Sequence, residues 1–532
     1  MHSDTSSTPI ERVDTASLAS NGPRAPRRAW IALAVLMLPV LLVSVDNTVL
    51  SFALPEIARD LAPTAAQQLW IIDAYPLVLA GLLVAMGSLG DRFGRRRLLL
   101  IGSIGFGLVS VGAAFAPTAE ALIIARAALG FFGAMLMPST LSLLRSVFTD
   151  REQRRLAIAI WATGFAAGSA LGPIVGGVLL EHFAWGSVFL LAVPVLLPLV
   201  VLLPLLVRES RDPAPGPIDP LSIALSLAAM IPVVLGIKAI ATDGFGGYGI
   251  PMILLGFVFG WLFVRRQLRR PTPMLDVRLF RRGAFGGAVL VNLMSVISLV
   301  GFLYFVSQHL QLIVGLSPVQ AGLALTPGLA AMIAAGLIVV PIAKRVAARV
   351  VVPVALTLSA GAYVVIALTA DSGALAPVVL AFMMLGIGIG AAETVSNELI
   401  LSNAPAAKAG AASAVSETAY ELGAVLGTAV LGSILTAYYR TSLELPSGLT
   451  AEQAEAARET LAGAFTTASD LPGTARAALE ASAAHAFDSG VMVTSLIGVA
   501  LMLLAAVVAA TTLGRGAKRA SAGERAGLRD GQ

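Results

Sequence analysis

Apolar runs of about 20 residues recur along almost the whole chain, parted by short loops in which arginine predominates. The runs are continuous rather than alternating at period two, which marks helices and not strands. Hydrocarbon offers the backbone no hydrogen-bond partner, so a run of this length in a bilayer satisfies itself as a helix. Fourteen spans are predicted, at 30–54, 67–90, 97–116, 119–144, 155–181, 187–207, 218–240, 248–266, 285–312, 321–343, 350–370, 375–402, 410–438 and 489–513. An even count returns both termini to one side.

The basic residues orient these spans. The N-terminal tail, the loops after even-numbered spans and the C-terminal tail hold 30 of the 36 Lys and Arg residues. By the positive-inside rule those segments, and both termini, are expected in the cytoplasm. The remaining six are Arg59, Arg126, Lys238, Arg440, Arg458 and Arg476. Of all the basic residues, only Arg126 reads as lying well inside a span.

The same pattern divides the chain. Residues 1–28 are polar and rich in Ser, Thr and Pro, and are expected to be a disordered cytoplasmic tail. The run that follows is of full spanning length with no small-residue cleavage site behind it, so it reads as a span and not a signal peptide. Residues 29–207 form a first six-helix bundle, 208–284 two inserted helices with linkers, 285–513 a second six-helix bundle, and 514–532 a cytoplasmic tail. Within the second bundle, the long outer loop 439–488 has helix-forming residues on either side of Asp470, Leu471, Pro472 and Gly473. A short external helical hairpin is predicted there.

An internal repeat supports the division. LGPIVGGVLL (171–180) and LGTAVLGSIL (426–435) share Leu171/Leu426, Gly172/Gly427, Val175/Val430, Gly177/Gly432 and Leu180/Leu435, at an offset of 255. Leu129-Gly130 and Leu385-Gly386 repeat at 256. Two six-helix halves with spans 7 and 8 inserted between them produce such a spacing. Parallel repeats of this kind occur in secondary transporters, with the substrate site near the midplane between the halves.

Composition agrees: the chain is 57% hydrophobic with a mean hydropathy of +0.86. It is 13% charged, against about 25% for a soluble protein. There is no cysteine, which excludes disulfides and thiolate-ligated metals, and the four histidines (His2, His182, His309, His485) lack metal-ligand spacing. The basic residues sit in loops between spans, so no nucleic acid is expected as a partner. No GxxxxGK[ST] sequence is present, which disfavours an ATP-driven pump.

Charges inside spans are costly and therefore point to function. Asp46 lies two-thirds along span 1, followed by Asn47 and Thr48, and Asp73 lies near the outer end of span 2 with Tyr75 close by. Glu393 and Glu398 are in the second half of span 12, the latter toward the cytoplasmic end. Glu417 and Glu421 in span 13 are four residues apart and so share a helix face. Close carboxylates in low dielectric cannot all ionise cheaply, which suits proton uptake and release. The alternative for each is a structural role, hydrogen-bonded between helices. Arg126 in span 4 needs a carboxylate or carbonyl partner, and Asp46 is the candidate. Span 5 carries Gly164, Gly168, Gly172, Pro173, Gly176 and Gly177, a pattern for close packing and a kink.

These motifs resemble a known family. GSLGDRFGRRR (Gly87 to Arg97) after span 2 is similar to the signature of the major facilitator superfamily, with Gly87, Asp91, Arg92, Gly94 and Arg95 at its positions. GSALGPIVGG (Gly168, Gly172, Pro173, Gly176, Gly177) resembles the motif of the drug:proton antiporters in that superfamily. VDNTVLSFALPEIA in span 1, WIIDAYPLVLAG in span 2 and SETAYELGAVLG in span 13 resemble its fourteen-helix branch, and Arg126 stands where that branch has its span 4 arginine. The resemblance runs from about Arg28 to Leu513 and points to pumps for quaternary ammonium compounds and multiple drugs. Two positions depart from it: Ser416 replaces a second adjacent acid found in some members, and Glu421 replaces an Asp found in some.

The resemblance implies an all-α polytopic membrane protein with the major facilitator fold: two six-helix bundles plus two inserted helices, both termini cytoplasmic. It implies proton-coupled export of lipophilic cations across a bacterial plasma membrane, with ethidium-like dyes and fluoroquinolones as further classes. No enzymatic activity and no cofactor beyond the proton motive force are expected, and the chain is expected to act as a monomer. Asp46, Asp73, Arg126, Glu393, Glu417 and Glu421 are the expected proton-coupling and cation-binding groups. Tyr75, Met86, Met135 and Phe302 are the expected cavity wall. The rivals are a dedicated exporter of one antibiotic or lipid, and a non-transporting membrane sensor.

Overall fold

The computed structural model describes residues 25–212, 219–244, 246–403 and 409–513, and no strand occurs among them. The two expected tails, apart from residues 25–28, lie outside the described residues. Six helices make the first half: α1 (Arg27–Leu61), α2 (Ala65–Phe93), α3 (Arg95–Ala114), α4 (Ala119–Val147), α5 (Arg151–His182) and α6 (Ser187–Leu206). Two more follow, α7 (Pro220–Asp243) and α8 (Gly249–Arg269). The second half has α9 (Gly283–Ile313), α10 (Pro318–Ala343), α11 (Ala348–Ser372), α12 (Leu375–Ser402) and α13 (Ala412–Ser442). It ends with two short helices, α14 (Ala451–Glu459) and α15 (Leu461–Ser469), and the 40-residue α16 (Gly473–Thr512). Thirteen helices among the described residues are long and apolar enough to cross a membrane. The 32-residue α5 occupies the place of the fifth expected span.

Local sequence sets the helix starts. Thr64 and Gln67 form a reciprocal capping box at α2, Ser317 and Gln320 another at α10, and Thr450 and Gln453 a third at α14. Each pair satisfies two backbone donors that the first turn would leave open.

In the first half α1 packs on α5, and α4 lies against α2 and α3; in the second half α12 lies against α9, α10 and α11, and α16 against α9 and α11. The halves meet along α5–α10 and α2–α13. The first of these rests on glycine. A methyl group at Gly168 would meet the Leu41 carbonyl at 2.9 Å, and one at Gly172 would collide with Thr48, both on α1. Gly164 faces Met37 and Gly176 faces Val49 in the same way. Small residues every four positions bring α5 against α1, and Thr48 Oγ1 donates across the contact to the Ser169 carbonyl at 3.3 Å. Gly177, on another face of α5, packs on α10 so closely that a methyl group there would meet the Pro318 carbonyl at 2.8 Å, and one at Gly322 of α10 would meet the Pro173 carbonyl in return.

The outer loop differs in detail from the hairpin predicted over 439–488. Its first arm is broken at Thr460, which caps α15 by accepting from Gly463 N at 2.9 Å, and the turn at Asp470–Pro472 leads into α16. The second arm is therefore continuous with the last span, because Gly473 to Asp488 contains no residue that stops a helix. Two departures from regular helix also appear, π turns at His309–Ile313 in α9 and Gly427–Gly432 in α13.

Because α5 depends on glycine against α1, Gly172→Val should destabilise the fold by about 1–3 kcal/mol. In detergent, the protein should show a lower melting temperature by size-exclusion chromatography after heating. An unchanged melting curve would mean that the α1–α5 contact relaxes freely.

Candidate functional site

Asp46 of α1 and Arg126 of α4 meet inside the first half. Arg126 Nη1 donates to Asp46 Oδ2 at 2.7 Å, with 2% and 12% of the two side chains exposed. Arg126 Nε donates to the Ile71 carbonyl of α2 at 3.1 Å, and its guanidinium carbon lies 4.7 Å from the centre of the Tyr75 ring. A charge that would be costly in hydrocarbon is thus met by a carboxylate, a carbonyl and an aromatic face. Asp46 also lines a small cleft with Val49, Phe106, Ser110 and Phe189.

One acid of the second half, Glu421, faces this pair. Glu421 is buried on α13 and its carboxyl is approached by Asn47 of α1, the residue after Asp46. Glu417 lies one turn nearer the arginine-rich end, half-buried, and feels the charge of Arg145 on α4. Between them along the chain, Tyr420 reaches Ser169 of α5. Glu393 on α12 is half-buried, and its Oε1 is a buried atom with no hydrogen-bond partner. Glu398 is exposed one turn further toward the arginine-rich end. Ser416, where some family members carry an acid, donates to Asn397 Oδ1 at 2.7 Å, and Asn292 donates to the same oxygen at 2.7 Å.

Hydrogen bonds between the halves gather at the end away from the arginines. Ser307 donates to the Ser51 carbonyl at 2.8 Å, Gln311 to the Phe52 carbonyl at 3.2 Å, and Ser317 to Glu181 at 3.1 Å. Glu459 of α14 accepts from Ala65 N at 2.7 Å and pairs with Arg440 of α13 at 2.8 Å, tying the start of α2 to the end of α13. With the glycine contacts of α5 and α10, these close that end.

Asp73 is fully buried on α2, and its partner was not legible in the sequence. Lys238 of α7 lies 2.8 Å from Asp73 Oδ2, with 3% of its side chain exposed. Lys238 is therefore not among the loop residues opposite the arginine-rich side, and Arg126 is not the only basic residue inside a span. The basic residues at the end opposite the arginine-rich one are then four: Arg59, Arg440, Arg458 and Arg476.

The signature after α2 forms a charged turn. Asp91 and Arg95 pair at 2.7 Å, the Asp91 carbonyl accepts from Asp212 N at 2.9 Å, and Arg95 N donates to the Ser210 carbonyl at 3.0 Å. Glu209 accepts from Arg96 N at 2.9 Å and Arg97 N at 3.2 Å, so it caps the start of α3. Gly94 has φ 114°, and a methyl there would lie 2.6 Å from the Glu209 carboxyl carbon. Both features require glycine. Arg92 points to solvent, and a methyl group at Gly87 would only touch Pro138 of α4 at an ordinary 3.5 Å. Glu209 was missed in sequence; its only signal is an acid directly after span 6 among arginines.

The expected cavity wall is not assembled in this conformation. Tyr75 lies against Arg126, but Met135 packs toward Gly102 of α3, within the first half, and Met86 is buried there as well. Phe302, also expected in that wall, is buried in the second half. It stacks on Phe382 (centroids 5.5 Å apart) and meets Phe305 and Tyr363, an aromatic cluster that fills the core of the second half.

The family model of the Major Facilitator Superfamily matches residues 36–428. The chain belongs to the major facilitator superfamily. Among members of the superfamily, it is 57% identical over 485 residues to the multidrug efflux pump LfrA of Mycolicibacterium smegmatis, covering 91% of this chain and 96% of that one. It is 36% identical over 483 residues to the methyl viologen resistance protein SmvA of Salmonella typhimurium (90% and 97% covered). It is 32% identical over 494 residues to the tetracenomycin C resistance and export protein of Streptomyces glaucescens (91% and 92%). The fold is also similar to a bacterial homolog of the human lysosomal transporter Spinster, in an inward-facing and occupied conformation. There the TM-score is 0.63 at 16% identity, covering 92% of this chain and 97% of that one. The major facilitator fold accounts for the two halves, and membership makes this a multi-pass membrane transporter and not an enzyme.

Asp46→Asn leaves Arg126 without its countercharge and should destabilise the protein by about 3–5 kcal/mol. Adding Arg126→Leu should recover part of the loss. Melting curves of the two variants in detergent check this; equal destabilisation by both would mean the pair is not coupled. At the closed end, Gly322→Leu should force α10 from α5. Because the chain has no cysteine, a single cysteine introduced at Ser317 reports the result as faster maleimide labelling.

Proposed function

We propose that the chain is a proton-coupled multidrug efflux antiporter of the bacterial plasma membrane that exports lipophilic cations such as quaternary ammonium compounds and ethidium. The arginine-rich end faces the cytoplasm. The observation that carries this reading is the convergence of Asp46, Glu417 and Glu421 on the seam between the halves, where α1 and α13 face each other. The relatives' names support it: one is a multidrug efflux pump and another gives resistance to methyl viologen, itself a cationic compound.

The mechanism follows from the carboxylates. Each holds a proton or sits beside a cation, and does not do both well. With the outer end closed by α5–α10 and Glu459, a cation enters from the arginine-rich side and is held near Glu417 and Glu421. Rocking of the halves breaks the outer contacts and exposes the same acids outward, where protons replace the cation. Each proton returning inward releases about 2.3 kcal/mol per 100 mV of membrane potential. Arg126 supplies the countercharge of Asp46, and the Asn47–Glu421 contact connects that pair to the second half.

A dedicated exporter is the second reading, favoured by the likeness to the tetracenomycin C export protein. The test is ethidium efflux from energised cells, with and without a protonophore, for the wild type, Asp46→Asn and Glu417→Gln. Protonophore-sensitive efflux in the wild type, reduced at least about tenfold in either variant, is expected. Efflux that ignores the protonophore removes proton coupling. A membrane-inserted wild type that moves none of a panel of cations shifts the function to a single dedicated substrate.

A further inference from the structure

The Asp73–Lys238 pair joins a helix of the first half to a helix of the inserted pair. Its surroundings are built around it. Lys238 Nζ lies 3.8 Å from the centre of the Trp70 ring, one turn before Asp73 on α2. Thr428, in the π turn of α13, faces the same carboxylate from the second half. Below the pair, Leu77 of α2, Val234 of α7, and Val425 and Ala429 of α13 form one apolar cluster. The inserted α7 thus lies over the α2–α13 seam, and its one basic residue enters the seam at the acid. At the arginine-rich end, Asp219 caps α7 and pairs with Arg266 of α8 at 2.8 Å and with Arg270, so the two inserted helices share a fixed base.

An acid beside an aromatic face is the arrangement that recognises an organic cation. Here that arrangement is filled by the chain itself. We propose that Lys238 is a tethered cation that occupies the Asp73–Trp70 site in the outward-closed conformation and competes with the exported cation for it. Lys238 is a positioning residue: it sets when Asp73 is available, and it couples the inserted helices to the rocking of the halves. When α2 and α13 move apart, α7 cannot stay seated on both, so Lys238 leaves Asp73 and the site is open to cargo. In the closed state the ammonium blocks it, and cargo released outward does not fall back. This inference rests on the proposed export of cations.

The test is binding of tetraphenylphosphonium to the purified full-length chain by calorimetry, for the wild type, Lys238→Met, Lys238→Gln, Lys238→Arg and Lys238→Met combined with Asp73→Asn. Removing a resident competitor raises the fraction of competent sites, so Lys238→Met should bind at least about fivefold more tightly than the wild type. Lys238→Gln, which keeps a donor at the buried site, should show the same gain if the Met variant does not fold. Lys238→Arg should stay at the wild-type affinity, and the double variant should lose the gain. A lysine with a merely structural role would lower the melting temperature and leave affinity equal or weaker; that result in a folded Lys238→Met or Lys238→Gln protein overturns the inference. A wild type that binds the probe and exports ethidium, beside neutral variants of unchanged affinity, removes the tethered cation alone. A wild type that does neither removes the efflux reading first.

Discussion

An arginine in the middle of a bilayer is costly unless its charge is met, and Arg126 is met from three sides. Asp46 supplies the opposite charge, the Ile71 carbonyl a hydrogen bond and Tyr75 an aromatic face. These groups come from α1 and α2, so one guanidinium on α4 fixes the relative placement of three helices. The pair also fixes Asp46 where the next residue, Asn47, reaches Glu421 across the seam. The site between the halves depends on that placement: release Arg126 and the acids of α1 and α13 no longer share a register.

The two contacts between the halves are related by the internal repeat. Pro173 on α5 and Thr428 on α13 stand at the same repeat position, as do Gly177 and Gly432. Gly177 packs against Pro318 and Val319 of α10, and a methyl group at Gly432 would meet Leu69 of α2 at 2.9 Å. Each half therefore presents a glycine-bearing helix to the other. Both helices also depart from a regular hydrogen-bond ladder at this place, one through proline and one through a π turn. Proline and π turns are where helices bend, so the bending points sit at the seam, where the proposed rocking would use them. The symmetry is broken chemically: Thr428 faces the Asp73 carboxyl, while Pro173 faces the glycine Gly322.

Much of this was legible in the sequence, for physical reasons. Span count and the two halves follow from hydropathy and loop arginines, which act on each segment alone. The Asp46–Arg126 pair could be named because each was a charge in hydrocarbon that needed a partner, and few partners existed. Lys238 escaped because it lies only a few residues from the end of α7, where a lysine reads as an interface or loop residue. Its burial comes from α7 lying against α2 and α13, a tertiary fact with no local pattern. The place of Phe302 is illegible for the converse reason: an aromatic on an apolar helix looks the same whether it lines a cavity or stacks on Phe382. Glu209 and Gly94 show a third case. The glycine was visible in the signature, but the carboxylate that makes it necessary arrives from the far end of α6.

The inserted pair is more than a spacer between the halves. A hairpin that merely filled lipid would be apolar on every face, and α8 comes near this, with Leu254, Phe257, Val258 and Trp261 exposed. Its partner α7 is asymmetric: one side bears Val234 and Lys238 against α2 and α13, while Leu221 at its start is exposed. Burying a lysine is unfavourable unless it is paired, and a hydrophobic residue of similar size would stabilise the contact at least as well. An ion pair at this position therefore gains its meaning from the states in which it breaks. In the proposed cycle the seam it spans is the one that opens when the halves rock, so the charge is set where motion and cargo would meet.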